Sequence, residues 1–221
     1  MTAGRQRAVI FDNDGVLVDS EPLHRVAWER TFGPRGVVVP GADYDWSIGR
    51  RDATFAGIIA ERFGLPDTPE SLVDEKRSHL VAMLEQESQT FDGLPELVRA
   101  LAADRRIGVA SSAMRPEVEI VLARFGLREF VDVTVTNEDV TRHKPDPEPY
   151  LLCAERLGVE PTGCTVVEDS VSGIEAARAA GMRVIAFTST FPADRLAGAD
   201  AVLESLADTG AVLELIRSLG R

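Results

Sequence analysis

Apolar positions along the chain gather into five short runs separated by longer stretches with helical spacing. The first run, Ala8-Val9-Ile10-Phe11, is unbroken by polar residues and ends on Asp12. A strand buried on both faces of a sheet reads this way. Ile107 to Ser111, Val131 to Thr136, Cys164 to Glu168 and Arg183 to Phe187 have the same apolar, β-branched character. Helical patterns lie between most of them. Leu94 to Ala103 follows Gly93 and repeats leucine and valine at helical spacing. Pro116 opens Glu117 to Phe125, which Gly126 closes, and Pro147 precedes Tyr150 to Leu157, which Gly158 ends. Proline near a helix start and glycine past its end is the expected asymmetry. Ser172 to Ala180 runs to Gly181, and Ala211 to Leu219 finishes the chain. Strands alternating with helices predict an α/β fold, a Rossmann-like, doubly wound parallel sheet.

The gap between the first and second strands is too long for one crossover. It holds three helical stretches of its own, Leu23 to Phe32, Asp52 to Phe63 and Glu70 to Glu87. We read 1–20 and 90–221 as the Rossmann-like core and 21–89 as an inserted helical cap domain. Because the insert leaves from the turn beside Asp12 and Asp14, it is expected to act as a lid over that turn. Hinges are expected near Leu17 to Ser20 and near Gln89 to Gly93.

Composition narrows the partners. The chain has 221 residues, 44% of them hydrophobic, and a formal net charge of -12. That apolar share is ordinary for a globular core. So acidic a surface repels nucleic acid and anionic membranes, so neither is expected as a partner. No stretch approaches the length of a membrane span. The start, Met1 to Arg7, is polar and lacks the apolar region of a signal peptide. Cys153 and Cys164 fit no metal-ligand pattern and read as buried free thiols in a reducing, cytoplasmic setting. A monomer is expected.

The chemistry gathers at strand ends. In a parallel α/β sheet, ligands bind outside the carboxyl ends of the strands. Asp12 ends the first run and Asp14 follows in the turn, two carboxylates that repel unless a cation or a shared proton intervenes. A hard divalent cation with oxygen ligands is the simplest resolution. Ser111 ends the second run. Lys144 sits in His143-Lys144-Pro145-Asp146-Pro147, where the prolines stiffen the loop. The fourth run ends on Glu168-Asp169-Ser170. Each feature alone reads as a polar turn, a helix cap or a solvated side chain. Together they place metal ligands, Asp12 and Asp169, beside anion holders, Ser111 and Lys144, with turn amides as further donors. A phosphoryl group suits that set, since its charge must be neutralised before an anionic nucleophile approaches.

These residues carry a resemblance. Phe11-Asp12-Asn13-Asp14-Gly15-Val16-Leu17-Val18-Asp19-Ser20-Glu21 resembles the first motif of the haloacid dehalogenase-like superfamily, in its β-phosphoglucomutase-like branch of phosphatases and mutases. Ser111 matches the second motif, Lys144-Pro145 the third, and Glu168-Asp169-Ser170-Val171-Ser172-Gly173-Ile174 the fourth. The resemblance implies that Asp12 is the nucleophile and forms an aspartyl-phosphate. Asp14 would be the general acid and then the general base. Mg²⁺ would be held by Asp12, the Asp14 main-chain carbonyl and Asp169, with Glu168 acting through a water or a further hydrogen bond. Ser111 and Lys144 would bind phosphate with the amides of Asn13, Asp14 and Ser112. Asn13 stands where the family often has an apolar residue, and only its amide is given a role.

The expected activity is Mg²⁺-dependent hydrolysis of a small phosphorylated metabolite, a sugar or polyol phosphate. Asp14 speaks against a dehalogenase, whose chemistry needs no acid for an alcohol leaving group. The cap stretch Ile48-Gly49-Arg50-Arg51-Asp52 speaks against a phosphonatase, because a guanidinium cannot form the imine that a cap lysine would. A sugar-phosphate mutase is the alternative, and Ser20 and His24 match positions that assist catalysis in mutases. A phospho-accepting receiver-like module is the non-enzyme alternative, but it needs no helical insert. His24, Arg50, Arg51 and Lys76 are the candidate substrate contacts in the cap, each equally readable as an ordinary exposed side chain.

Overall fold

In the computed structural model, which describes residues 7–219, six parallel strands form one sheet in the order β3-β2-β1-β4-β5-β6. They are β1 (Ala8–Phe11), β2 (Arg106–Ala110), β3 (Val133–Val135), β4 (Cys164–Glu168), β5 (Arg183–Phe187) and β6 (Ala201–Leu203). Met1 to Gln6, the greater part of the stretch read as lacking a signal sequence, lie outside the described residues. Every residue of β1 and β4 is buried, as expected for central strands of a sheet covered on both faces.

The strand order reverses direction between β1 and β4. This is the switch point at which open α/β sheets bind ligands. Phe11 is in register with Val109 of β2 and Val167 of β4, and the Asp12 amide continues the ladder to the Val167 carbonyl at 3.0 Å. Asp12, Ser111 and Glu168-Asp169 therefore leave the sheet side by side at one edge. Gly108 of β2 has no room for a side chain, since a Cβ there would lie 2.5 Å from Cys153 Sγ. Both cysteines are free and buried.

The chain divides into two compact units, Met1–Asp19 with Gln89–Arg221, and Ser20–Ser88. The first holds the sheet with α5 (Leu94–Ala102), α6 (Arg115–Arg124), α7 (Glu148–Leu157), α8 (Val171–Ala179) and α9 (Thr209–Leu219). Helix α8 is capped by Ser170, whose Oγ accepts from Gly173 N at 3.0 Å. Gly93, at φ +83°, precedes α5 where a Cβ would collide with the Leu206 carbonyl.

The second unit holds α1 (Glu21–Phe32), α2 (Gly41–Ser47), α3 (Asp52–Phe63) and α4 (Pro69–Gln86). Its core is aromatic. Trp28 stacks on Phe32 with ring centroids 5.1 Å apart, and Phe55 meets Trp28 edge-on at 5.3 Å. Leu72 and Ile59 fill in around them. Arg35 ties its parts together, donating to Asp67 and Glu75 at 2.8 Å each and to the Thr31 carbonyl.

Two elements differ from the sequence reading. The sheet has a sixth strand, β6, three residues long and with Val202 exposed; so short an edge strand carries no alternation to detect. The insert has a fourth helix, α2, whose Gly-Ala-Asp-Tyr-Asp-Trp-Ser sequence buries only Tyr44 and so shows no helical stripe. Among the described residues no helix is long and apolar enough to cross a membrane.

Candidate active site

At the edge where β1 and β4 end, two carboxylates share one ammonium and a third lies beside them. Lys144 Nζ donates to Asp12 Oδ1 and to Glu168 Oε1, each at 2.7 Å. Its side chain is 6% exposed, Asp12 11% and Glu168 not at all. The loop that brings Lys144 there is held by Glu148 in the first turn of α7. The Glu148 carboxylate accepts from the Thr141 and Arg142 amides at 3.0 Å each. Asp146 Oδ1 in turn accepts from the Glu148 amide at 3.0 Å, and the Lys144–Pro145 peptide bond is cis.

Carboxylate oxygens of Asp12, Glu168 and Asp169 all lie within 4.8 Å of one another. Asp169 presses against the turn after β1 so closely that a Cβ on Gly15 would overlap its carboxylate. Gly15 has φ +73°, which also favours glycine. Gly173, in the first turn of α8, is the counterpart on the other side, since a Cβ there would overlap the Glu168 carboxylate. Glycine at both places lets backbone and acid approach.

Comparison with known proteins agrees with this geometry. The haloacid dehalogenase-like hydrolase family model matches residues 6–181. This chain belongs to that family. The hydrolase is 36% identical over 188 residues to the fructose-1-phosphate phosphatase YqaB of Escherichia coli, covering 82% of this chain and 96% of that one. It is 38% identical over 188 residues to a phosphorylated carbohydrates phosphatase of Thermotoga maritima, covering 80% and 83%. Among solved structures, CbbY from Rhodobacter sphaeroides in complex with phosphate superposes with a TM-score of 0.79 at 30% identity, covering 92% and 96%. The hydrolase falls in the β-phosphoglucomutase-like branch and is a phosphoric monoester hydrolase.

The hydrolase's site crowds negative groups together in a buried place. Burial, with help from Glu168 and Asp14, pushes the Asp12 carboxyl up to about 7 even though Lys144 pulls it down. Burial and the charges of Glu168 and Asp12 likewise hold the Asp169 carboxyl well above the usual range. Glu168 goes the other way. Its burial is outweighed by the charge and hydrogen bond of Lys144 and by Ser170, and its carboxyl falls below the ordinary value. Burial works against Lys144, yet Asp12 and Glu168 keep its ammonium well above its ordinary range. Fully ionised, the three carboxylates beside one ammonium would carry two uncompensated negative charges, which one divalent cation would balance. The donor set, all hard oxygen, suits Mg²⁺ or a similar ion.

Glu168 is poorly placed to be a direct ligand. Its Oε1 accepts from Lys144 and from Tyr150 OH at 3.0 Å. Its Oε2 accepts from the Asp169 and Ser170 amides at 2.8 and 2.7 Å and from Ser170 Oγ at 2.8 Å. With both oxygens committed, it holds Lys144 and the turn after β4, and leaves Asp12 and Asp169 to face a cation.

The other residues singled out in the sequence lie as follows. Ser111 is buried, with Oγ accepting from Ala113 N at 2.9 Å. Ser112 is exposed and its carbonyl accepts from Asn137 Nδ2. Asp14 is half-buried. Asn13 is buried, its main-chain carbonyl accepting from the Leu17 and Val18 amides, while its side-chain amide meets no hydrogen-bond partner. In the helical unit, Ser20 is buried ahead of α1. Arg50 and Arg51 are exposed, and Arg50 lies 4.4 Å over the Trp46 ring. Lys76 is not the exposed side chain the sequence allowed. It is 2% exposed, and donates to Asp52 Oδ2 at 2.8 Å and to His24 Nδ1 at 2.7 Å. An ammonium has no lone pair, so the His24 imidazole accepts at Nδ1.

Sequence reasoning missed three residues near the cluster. Tyr150 passed as an ordinary start of a helix. Ser189 donates to the Gly15 carbonyl, and Thr190 hydrogen-bonds Asp169. Both follow β5 at the same sheet edge, so the strand-end rule that found Asp12 and Asp169 could have found them.

Proposed function

We propose that this hydrolase cleaves the phosphate monoester of a small sugar or polyol through a phosphorylated Asp12, with Mg²⁺ as its cofactor. The observation that carries the reading is the buried cluster of Asp12, Glu168, Asp169 and Lys144 at the β1/β4 switch point. The choice of a sugar or polyol rests on the phosphatases of similar sequence, one named for fructose 1-phosphate and one for phosphorylated carbohydrates.

In this reading an Asp12 carboxylate oxygen forms a bond to phosphorus and the ester P–O bond breaks. Asp14 delivers its proton to the departing alkoxide. Asp14, now a carboxylate, takes a proton from water as the water oxygen attacks the same phosphorus, which frees inorganic phosphate and restores Asp12. Lys144 offsets the repulsion between two anions that must meet, while Ser111 and the amides of Asn13, Asp14 and Ser112 receive phosphoryl oxygens. Asp12, the Asp14 main-chain carbonyl and Asp169 would hold Mg²⁺. When bound, the ion neutralises phosphoryl charge as it builds in the transition state.

The test is phosphate release from a panel of sugar and polyol phosphates with Mg²⁺. Activity on one or more of them supports the reading; none on any of them defeats it. Phosphoryl transfer that needs a bisphosphorylated sugar and frees no phosphate selects the mutase instead. EDTA is expected to stop the reaction, and Asp169→Ala to weaken the cation enough that far more Mg²⁺ is needed for half-maximal rate. Full turnover in metal-free buffer would remove the ion from the scheme. Asp14→Asn should slow phosphate release by about 10²–10⁴-fold, the usual worth of general acid–base catalysis. Its calorimetric Mg²⁺ affinity should change little, since only the Asp14 main chain is a ligand. A wild-type rate on an unactivated alkyl phosphate would refute that role for Asp14.

A further inference from the structure

Tyr150 stands out as a buried polar group that neither the sequence motifs nor the proposed reaction uses. It lies in the first turn of α7, is 0% exposed, and is one of the largest side chains fully enclosed by the core. A phenol so buried needs a reason, because the hydroxyl must find a partner or forfeit its hydration. Its partner is Glu168 Oε1, at 3.0 Å. The same oxygen receives Lys144 Nζ at 2.7 Å, and that ammonium stands 4.9 Å from the centre of the Tyr150 ring. One side chain thus touches both members of the pair, by a hydrogen bond to the anion and by its π face to the cation.

We propose that Tyr150 is a positioning residue for this hydrolase, fixing the Glu168–Lys144 pair in the one arrangement that aims the ammonium at Asp12. The proposal rests on the reading of Asp12 as nucleophile and Lys144 as its counter-charge. A lysine has a flexible stem and a point charge with no preferred direction. Nothing in Lys144 itself selects Asp12. Selection comes from the surroundings: Glu168 takes one ammonium proton, and the Tyr150 ring closes off one side of the nitrogen. Glu168 must itself be immobile to do this. Its Oε2 is held by the Asp169 and Ser170 amides and by Ser170 Oγ, and the Tyr150 hydroxyl is what holds Oε1 besides the lysine. Phenylalanine would fill the same volume and keep the ring face but would leave Oε1 to Lys144 alone.

The experiment compares wild type, Tyr150→Phe, Tyr150→Leu and Asp12→Asn on one good substrate. kcat and KM are measured well below each variant's melting temperature, and calorimetric Mg²⁺ affinity alongside. Tyr150→Phe removes a hydrogen bond to a buried charged group and should lower kcat by roughly ten-fold or more, with KM and Mg²⁺ affinity close to wild type. Tyr150→Leu should fall further, because the ring face goes as well. A purely structural role would lower the melting temperature and leave kcat at the wild-type value in the folded protein, and that result overturns the proposal. A loss confined to KM or to Mg²⁺ affinity overturns it too. Asp12→Asn separates the two levels: a dead Asp12→Asn beside a fully active Tyr150→Phe sinks this inference alone, while an active Asp12→Asn sinks it together with the reading beneath it.

Discussion

Asp12→Asn is expected to abolish phosphate release, a loss of about 10⁴-fold or more of the kind seen when a covalent nucleophile is removed, while circular dichroism stays native. The amide keeps nearly the same shape and still offers Lys144 an oxygen, but it cannot form the acyl phosphate. Its effect on stability has a definite sign. Asp12 in the folded protein binds its proton up to about pH 7, well above the value of 3.8 for an unperturbed aspartate. The folded state therefore holds more protons than the unfolded state between those values, and this group destabilises the fold progressively as pH rises through that window. Asparagine carries no such charge. In metal-free buffer at pH 8 the variant should accordingly melt above wild type, and the gap should narrow as pH is lowered toward 4 or as Mg²⁺ is added to wild type. Thermal melts across that range check the sign, and phosphate release checks the chemistry. Undiminished turnover in a natively folded Asp12→Asn would end the assignment of Asp12 as nucleophile.

Lys144→Ala should be damaging twice over. Three buried carboxylates would face one another with no ammonium among them, and breaking a buried pair by deleting one partner typically costs about 3–5 kcal/mol. Denaturant unfolding without added metal should show a loss of that order. Turnover by the protein that remains folded should also drop, by about 10²–10³-fold or more, as expected when a preorganised electrostatic donor is lost. Lys144→Arg should not restore it. The broad, planar guanidinium must find room in a space bounded by Asp12, Glu168 and the Tyr150 ring that holds one ammonium at 2.7 Å from each acid. A change no larger than that of a surface lysine, in both melting and rate, would place Lys144 outside the reaction.

Much of this was legible in the residue order. The unbroken apolar runs before Asp12 and Glu168, with proline and glycine bounding the helices, predicted a parallel α/β sheet, because buried strands and helix ends each impose their residue types locally. Asp12, Ser111 and Asp169 could be picked out from the same logic, since a parallel sheet puts successive strand ends at one edge, and Lys144 from the prolines that stiffen its loop. Elements with little to bury could not be read. Strand β6 spans three residues, and α2 buries a single tyrosine. Partnerships between distant side chains were equally silent. Lys144 meets Asp12 across 132 positions and Lys76 meets His24 across 52, and no local pattern records such a meeting. Only the tertiary structure turned Lys76 from a candidate surface contact into a buried lysine held by Asp52 and His24. It alone showed Glu168 spending both oxygens on five donors, and the Tyr150 ring lying against the Lys144 ammonium. The physical reason is that residue type sets what a side chain can bond, while burial and neighbours brought together by the fold decide which bond it makes and what charge it can keep.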